Sequence, residues 1–303
     1  MRKFFQKPFA YAIVSAVFLT AISVYVLLQT YLISTVEEYV TQSEDSSDIS
    51  YEQSGLDAEI NDMSYKDNNM KISIETVRKY ETNIYIADVT LSSAEFLKTA
   101  LANNAFGSNV TQKTSEIAQE KNAILAINGD YYGANRKGYV IKSGVLYRDS
   151  VKKDSEYDDL IIYKNGAFEI INENEISAQS LVDSGVQDLL SFGPALIKNG
   201  NIAVSEGEEV GKAMSENPRT AIGIIGKLHY IMLVSDGRTN ESGGLSLYQT
   251  AEIMQQYGCQ IAYNLDGGGS STMYFNGRII NNPTTNGRKI SERAVSDIVY
   301  IGY

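Results

Sequence analysis

A carboxylate set directly before a run of glycines and hydroxyls supports two kinds of chemistry. Its oxygens can take a proton or face a developing cation, and the bare backbone N–H groups beside it can hold an anion. The chain offers this arrangement at Asn264-Leu265-Asp266-Gly267-Gly268-Gly269-Ser270-Ser271, after the apolar run 261–265 and before a strand-like run at 272–275. Adjacent glycines cost backbone entropy, so a fold keeps them where φ must be positive or where something must come close to the main chain. Two further apolar runs end in the same manner, at Asn128-Gly129-Asp130 and at Ser235-Asp236-Gly237-Arg238. Arg219, Arg238 and Arg293 stand near turns, where a guanidinium is suited to a phosphate. Singly, each is what an ordinary turn contains. Jointly, if the strand ends converge, they make a site with carboxylates for acid–base work or for a metal and arginines for phosphate.

The rest of the inventory narrows the chemistry. There is one histidine, His229, and one cysteine, Cys259, so a multi-histidine zinc site cannot be built from these residues, and any Ser-His-Asp or Cys-His site would have to use His229. His229 stands in the apolar run 228–234 and reads as a core or strand residue, while Cys259 suits a small buried position. The net charge of −11 is drawn largely from residues 41–69, which hold eight acidic side chains against Lys66. Acidity therefore says little about the folded part, and nothing favours nucleic acid as a partner.

The elements that must position these groups follow from the pattern. Residues 9–33 carry no charge and are long enough to cross a bilayer as a helix. Arg2, Lys3 and Lys7 precede this run and Glu37 and Glu38 follow it, so the N-terminus (1–8) is expected in the cytoplasm and the remainder outside, behind an uncleaved signal anchor in the cell membrane. Residues 34–69 read as an acidic flexible stalk. From about residue 70 short strands are predicted at 71–77, 83–91, 123–127, 139–147, 160–163, 167–171, 189–196, 221–225, 228–234 and 297–303, with hairpin turns at Asn165-Gly166 and Asn276-Gly277. Helices are expected at 94–102, 114–121, 177–183 and 247–257, the last with a capping box formed by Ser246 and Gln249. The economical architecture is one strand-rich α+β domain over 70–303, with a few helices, behind the transmembrane helix.

The blocks 128–132, 191–196, 217–223, 234–238, 264–273 and 292–293 stand in the order seen in the phosphodiester glycosidase family, which includes bacterial exopolysaccharide biosynthesis proteins, and the chain resembles that family over roughly 70–303. The resemblance implies a hydrolase that cleaves the C1–O bond of a sugar-1-phosphodiester, here in cell-envelope polysaccharide or teichoic-type polymers. It implies Asp266, Asp236 and Asp130 as catalytic candidates, although Asp130 departs from the mammalian pattern at its position. Asn128, Arg219, Arg238, Asn264, Gly267, Gly268, Gly269, Ser270, Ser271 and Arg293 are the substrate-binding candidates. Two other classes fit the same residues. Asp130, Asp236 and Asp266 are the oxygen ligands a Mg²⁺-, Mn²⁺- or Ca²⁺-dependent phosphodiesterase would use, and the 21 tyrosines could serve a non-catalytic envelope-glycan-binding module.

Overall fold

The computed structural model describes residues 9–40, 58–152, 158–208 and 216–303. The expected cytoplasmic segment 1–8 and the part of the expected stalk at 41–57 lie outside the described residues.

Strand alternation builds two facing sheets. Across the larger, nine-stranded sheet lie Asn201–Ile202, Ala195–Lys198, Ile261–Asn264, Thr220–Gly226, His229–Ser235, Thr82–Leu91, Met70–Lys79, Ser64–Lys66 and Glu59–Asn61. The five-stranded sheet runs Arg278–Ile279, Met273–Phe275, Leu125–Asn128, Asp297–Ile301 and Leu97–Leu101. Within one strand Ala87 and Val89 point into the core between the sheets, where they join Met232, Val234, Leu125, Ile127, Phe275 and Val299. Their neighbours Ile84 and Ile86 point the other way, with Ile231 and Leu233, onto Leu247, Ala251 and Met254 of a helix at Leu247–Gln256. On the far side, Ala126, Ile298 and Tyr300 pack with Ile117 and Ala118 of a helix at Thr114–Glu120. The order is helix, sheet, sheet, helix, an α+β domain whose period-2 strands each feed two apolar layers. A three-stranded sheet, Phe168–Ile171, Asp159–Tyr163 and Val186–Leu190, closes one end and adds Leu160, Ile162 and Leu190 to the central core.

Much of the local reading holds. The Ser246 hydroxyl accepts from Gln249 N at 3.1 Å while Ser246 N donates to Gln249 Oε1 at 2.9 Å, completing the capping box. Asn276 and Gly277 turn their hairpin with positive φ at both positions. His229 begins its strand, half-buried, and its Nε2 lies 2.9 Å from Asp88 Oδ1.

Two expectations are corrected. The segment 94–102 is a 3₁₀ turn at Ala94–Phe96 followed by the strand Leu97–Leu101, which pairs with Asp297–Ile301. A nine-residue window of Leu and Ala is helical by propensity, but a distant strand edge satisfies its backbone and the sheet sends Leu97 and Ala100 into different core clusters. The second correction concerns the segment read as stalk. Thr35–Tyr39 pairs antiparallel with Ala105–Ser108, and Glu59–Asn61 with Ser64–Lys66 extend the larger sheet. Its polar composition hid one buried anchor. Tyr65 is 5% exposed in the central core, and its hydroxyl donates to Asp67 Oδ2 at 2.8 Å.

Tyr65→Ala should therefore lower the unfolding free energy by about 3–5 kcal/mol, as removal of a buried aromatic does. Tyr39→Ala, at a side chain 67% exposed, should stay within about 0.5 kcal/mol. Denaturant melts of both variants would check the contrast, and equal effects would exclude a core role for 64–66.

Candidate active site

The chain crosses from the larger sheet to the smaller between Ile261–Asn264 and Met273–Phe275, and the glycine turn is that crossing. Gly268 has φ +61°, and a Cβ there would lie 2.9 Å from Arg238 Nη2. A Cβ at Gly269 would run into the Thr285 hydroxyl. Side chains thus press on the turn from both sides, which only glycine allows. Asn128, fully buried at the end of its strand, holds the crossing: Nδ2 donates to Asp266 O at 2.6 Å, and Oδ1 accepts from Thr220 Oγ1 at 2.8 Å and Thr272 N at 3.2 Å. Asn264 is tied back by Nδ2 to Gly193 O at 2.7 Å.

Asp266 is the carboxylate at the centre. Its Oδ2 accepts from Ser270 Oγ at 2.6 Å and from Arg293 Nη2 at 2.9 Å, leaving Oδ1 free of both. Arg293 also reaches Ser270 Oγ through Nε at 2.9 Å and Nη2 at 2.7 Å. Burial pushes the Asp266 carboxyl above the ordinary range, partly opposed by Arg293 and by the Ser270 bond. Arg238 is held across the turn, with Nη2 donating to Asn217 Oδ1 at 2.8 Å and Nη1 to Thr285 O at 2.6 Å. Burial, and then the charge of Arg293, lower its pKa, while Asp266 opposes them. Two cations and one anion therefore share this corner, whose balance is positive when Asp266 is ionised and more so when it is not. Buried beside them, Asn264 Oδ1, Ser271 Oγ and Thr272 Oγ1 have no hydrogen-bond partner among the described residues.

The other predicted residues are placed differently. Both oxygens of Asp236 are engaged: Oδ1 accepts from Asn282 N at 2.8 Å, and Oδ2 from Asn282 Nδ2 and the Tyr85 hydroxyl, each at 3.2 Å. Asp236 thus fastens the loop that carries Thr285. Arg219 is buried, and its Nε donates to Leu245 O at 2.8 Å. Gly267 packs on the Pro218 carbonyl, so the 217–219 segment is the floor beneath the turn. Asp130 accepts from Tyr132 N at 2.9 Å and Ser191 N at 3.0 Å. The three carboxylates face three sets of partners, and among the described residues no group of three or more His, Cys, Asp or Glu could hold a metal. The loop residues Asn281, Asn282 and Thr285 escaped the sequence reading, although the turn-rich run 281–287 was a visible signal.

A second buried charge cluster adjoins the first. Lys142 Nζ donates to Asp297 Oδ2 at 2.5 Å and lies 3.8 Å from Asp130 Oδ2. Burial opposes the Lys142 charge, but Asp130 and Asp297 outweigh it and raise its pKa. Burial, then the charge of Asp130, push the Asp297 carboxyl up to about 7 against the pull of Lys142. Nothing in the sequence marked these residues, because Lys142 closes an apolar run and Asp297 opens another. Gly129 joins the clusters, donating its N–H to Asp297 O at 2.9 Å and accepting from Asp266 N at 3.2 Å.

The family model described as phosphodiester glycosidase matches residues 121–302. The chain is 28% identical over 201 residues to the SPbeta prophage-derived uncharacterized protein YomE of Bacillus subtilis, covering 65% of this chain and 31% of that protein. It is 31% identical over 140 residues to the mouse N-acetylglucosamine-1-phosphodiester alpha-N-acetylglucosaminidase, covering 40% and 27%. The chain thus spans about a third or less of the length of these curated relatives. The catalytic domain of the zebrafish N-acetylglucosamine-1-phosphodiester alpha-N-acetylglucosaminidase shares the fold with TM-score 0.61 at 22% identity, covering 77% of this chain and 83% of that one.

In the folded chain Asp297 keeps its proton to about pH 7, against 3.8 for an ordinary carboxyl. The folded state therefore binds more protons across that window, and stability falls as pH rises through it. Asp297→Asn, similar in shape but not titrating, should flatten this slope in denaturant melts taken across the window. An unchanged slope would remove Asp297 as its source.

Proposed function

Because the chain belongs to the phosphodiester glycosidase family, we propose that it is a hydrolase cleaving the C1–O bond of a sugar-1-phosphodiester, with Asp266 as its catalytic carboxylate. The observation that carries this reading is the corner at the glycine turn, where one buried carboxylate bonded to Ser270 and Arg293 stands beside a second guanidinium, Arg238. In this mechanism Asp266 takes a proton from water as the water oxygen bonds to C1. The C1–O electron pair leaves with the phosphate, which departs as a monoester, and the ring passes through oxocarbenium character. Arg293 and Arg238 would hold the phosphate oxygens, since a guanidinium offers paired donors and keeps its charge at working pH. The unpartnered Ser271 and Thr272 hydroxyls are further candidate contacts for the substrate. Asp236, Asn128, Asn264 and Arg219 position the turn and its loop. Asp130 would act on the site through the backbone that it and Gly129 share.

The helix Ala10–Tyr31 is long and apolar enough to cross a membrane. With Arg2, Lys3 and Lys7 before it and Glu37 and Glu38 after it, we place the domain on the extracytoplasmic side, where envelope polymers containing sugar-1-phosphodiesters are the natural substrates.

The test is the methyl phosphodiester of α-N-acetylglucosamine-1-phosphate. Its cleavage to free sugar and methyl phosphate marks C1–O scission, whereas sugar-1-phosphate and methanol would overturn the mechanism. Asp266→Asn should lower kcat by roughly 10²–10⁴-fold. Arg293→Ala should move the acidic limb of kcat/KM to higher pH, because Arg293 restrains the raised pKa of Asp266 and a base must be ionised to act. A limb that stays in place would exclude Asp266 as that base.

A further inference from the structure

The junction between the membrane helix and the domain is short and fixed. The helix ends at Tyr31, and Thr35 already opens the strand paired with Ala105–Ser108. Asn109 Nδ2 donates to the carbonyl of Thr30, in the last turn of the helix, at 3.1 Å and to that of Ile33, just beyond it, at 3.3 Å, so the domain's own side chain caps the helix. A helix of 22 residues is about 33 Å long, which matches the roughly 30 Å hydrocarbon core and sets Tyr31 at its surface. Tyr31 and Leu32, 71% and 73% exposed, then occupy the depth where aromatic and apolar side chains meet headgroups.

One residue of the candidate active site, Arg293, reaches this same place. A cavity of about 310 Å³ is lined by Tyr31 and Leu32 on one side and by Tyr131, Ala294 and Arg293 on the other. Arg293 is the side chain that bonds Asp266, and it is 40% exposed. An adjoining cavity of about 250 Å³ shares Tyr31, Asn109 and Tyr131 and adds Arg136, an exposed cation. An apolar and aromatic wall at the membrane surface thus faces basic residues leading to the carboxylate. A soluble substrate would have to enter between domain and bilayer, while a lipid headgroup reaches the cavity by lateral diffusion.

We propose that the substrate is lipid-borne: a sugar-1-phosphodiester whose second ester carries a hydrocarbon chain, with the first methylenes passing Tyr31 and Leu32 and the phosphate meeting Arg293. This rests on the hydrolase reading above and narrows its envelope polymers to those joined to a lipid through the sugar-1-phosphodiester. The bond changes are the same, water oxygen joining C1 and the lipid leaving as its phosphate monoester.

The experiment uses the full chain in phosphatidylcholine–phosphatidylglycerol vesicles and two probes sharing the N-acetylglucosamine-1-phosphoryl headgroup, one esterified with methyl and one with phytanyl. The phytanyl probe should be hydrolysed at least about tenfold faster at equal bulk concentration, because membrane confinement raises its effective concentration at a fixed site. A long Gly/Ser insertion after Ser34, which lets the domain drift from the bilayer, should remove that advantage and leave methyl-probe hydrolysis unchanged. Leu32→Asp, which leaves the strand pairing intact, should likewise lower the phytanyl advantage. Methyl-probe hydrolysis with no phytanyl advantage, or an advantage untouched by both variants, overturns the inference and leaves the hydrolase reading standing. Cleavage of neither probe overturns both.

Discussion

One buried amide ties the site together. The Asn128 side chain, at the end of a strand of the smaller sheet, bonds Asp266 O, Thr220 Oγ1 and Thr272 N. Those partners lie on the glycine turn, on a strand of the larger sheet and at the start of the returning strand. The chain changes sheets here, so its backbone groups leave one ladder before entering the next, and buried groups without partners are expensive. A side-chain amide supplies donor and acceptor from one rigid plane. The position of Asp266 follows, because its carbonyl is fixed by Asn128 and its N–H by Gly129 O. A carboxylate held by its main chain keeps its oxygens available.

Three apolar runs ending in Asp and Gly look alike as sequence and differ in the fold because of what donates to each. Asp130 receives two backbone N–H groups, and Asp236 receives Asn282 and Tyr85. Both carboxylates are absorbed in holding loops. Asp266 meets a hydroxyl and a guanidinium on one oxygen only, beside a second guanidinium. Its proton affinity is the outcome of opposing forces, burial raising it and the cation lowering it. A group balanced in this way changes protonation with small changes nearby, such as the arrival of a phosphate at Arg293.

What could be read in advance was local. The Ser246–Gln249 capping box, the Asn276-Gly277 turn and the β-rich run 83–91 are each decided within a few residues, and each is found in the fold. The strand Leu97–Leu101 is decided by Asp297–Ile301, nearly two hundred residues away, and no window around it contains that fact. Tyr65 stands in polar surroundings that argued for solvent, yet one aromatic with strand partners is enough to bring the segment onto the sheet. At the site, the glycine turn and its carboxylate were legible because unusual backbone needs unusual residues. The partners Asn282, Thr285 and Asn217 were not, because ordinary polar residues carry no mark of what they touch.

The Lys142–Asp297–Asp130 cluster shows how the corner at Asp266 is held by charges outside it. Two carboxylates and one ammonium buried together are a poor source of stability, since desolvation offsets most of their attraction. Their value lies in geometry: any displacement that separates Lys142 from Asp297 leaves a buried charge uncompensated, a steep penalty for a small movement. Gly129 carries that restraint to the site, bonded to Asp297 O on one side and to Asp266 N on the other. The main chain of Asp266 is therefore fixed by charges that never approach it, and its carboxylate is left to bond Ser270 and Arg293.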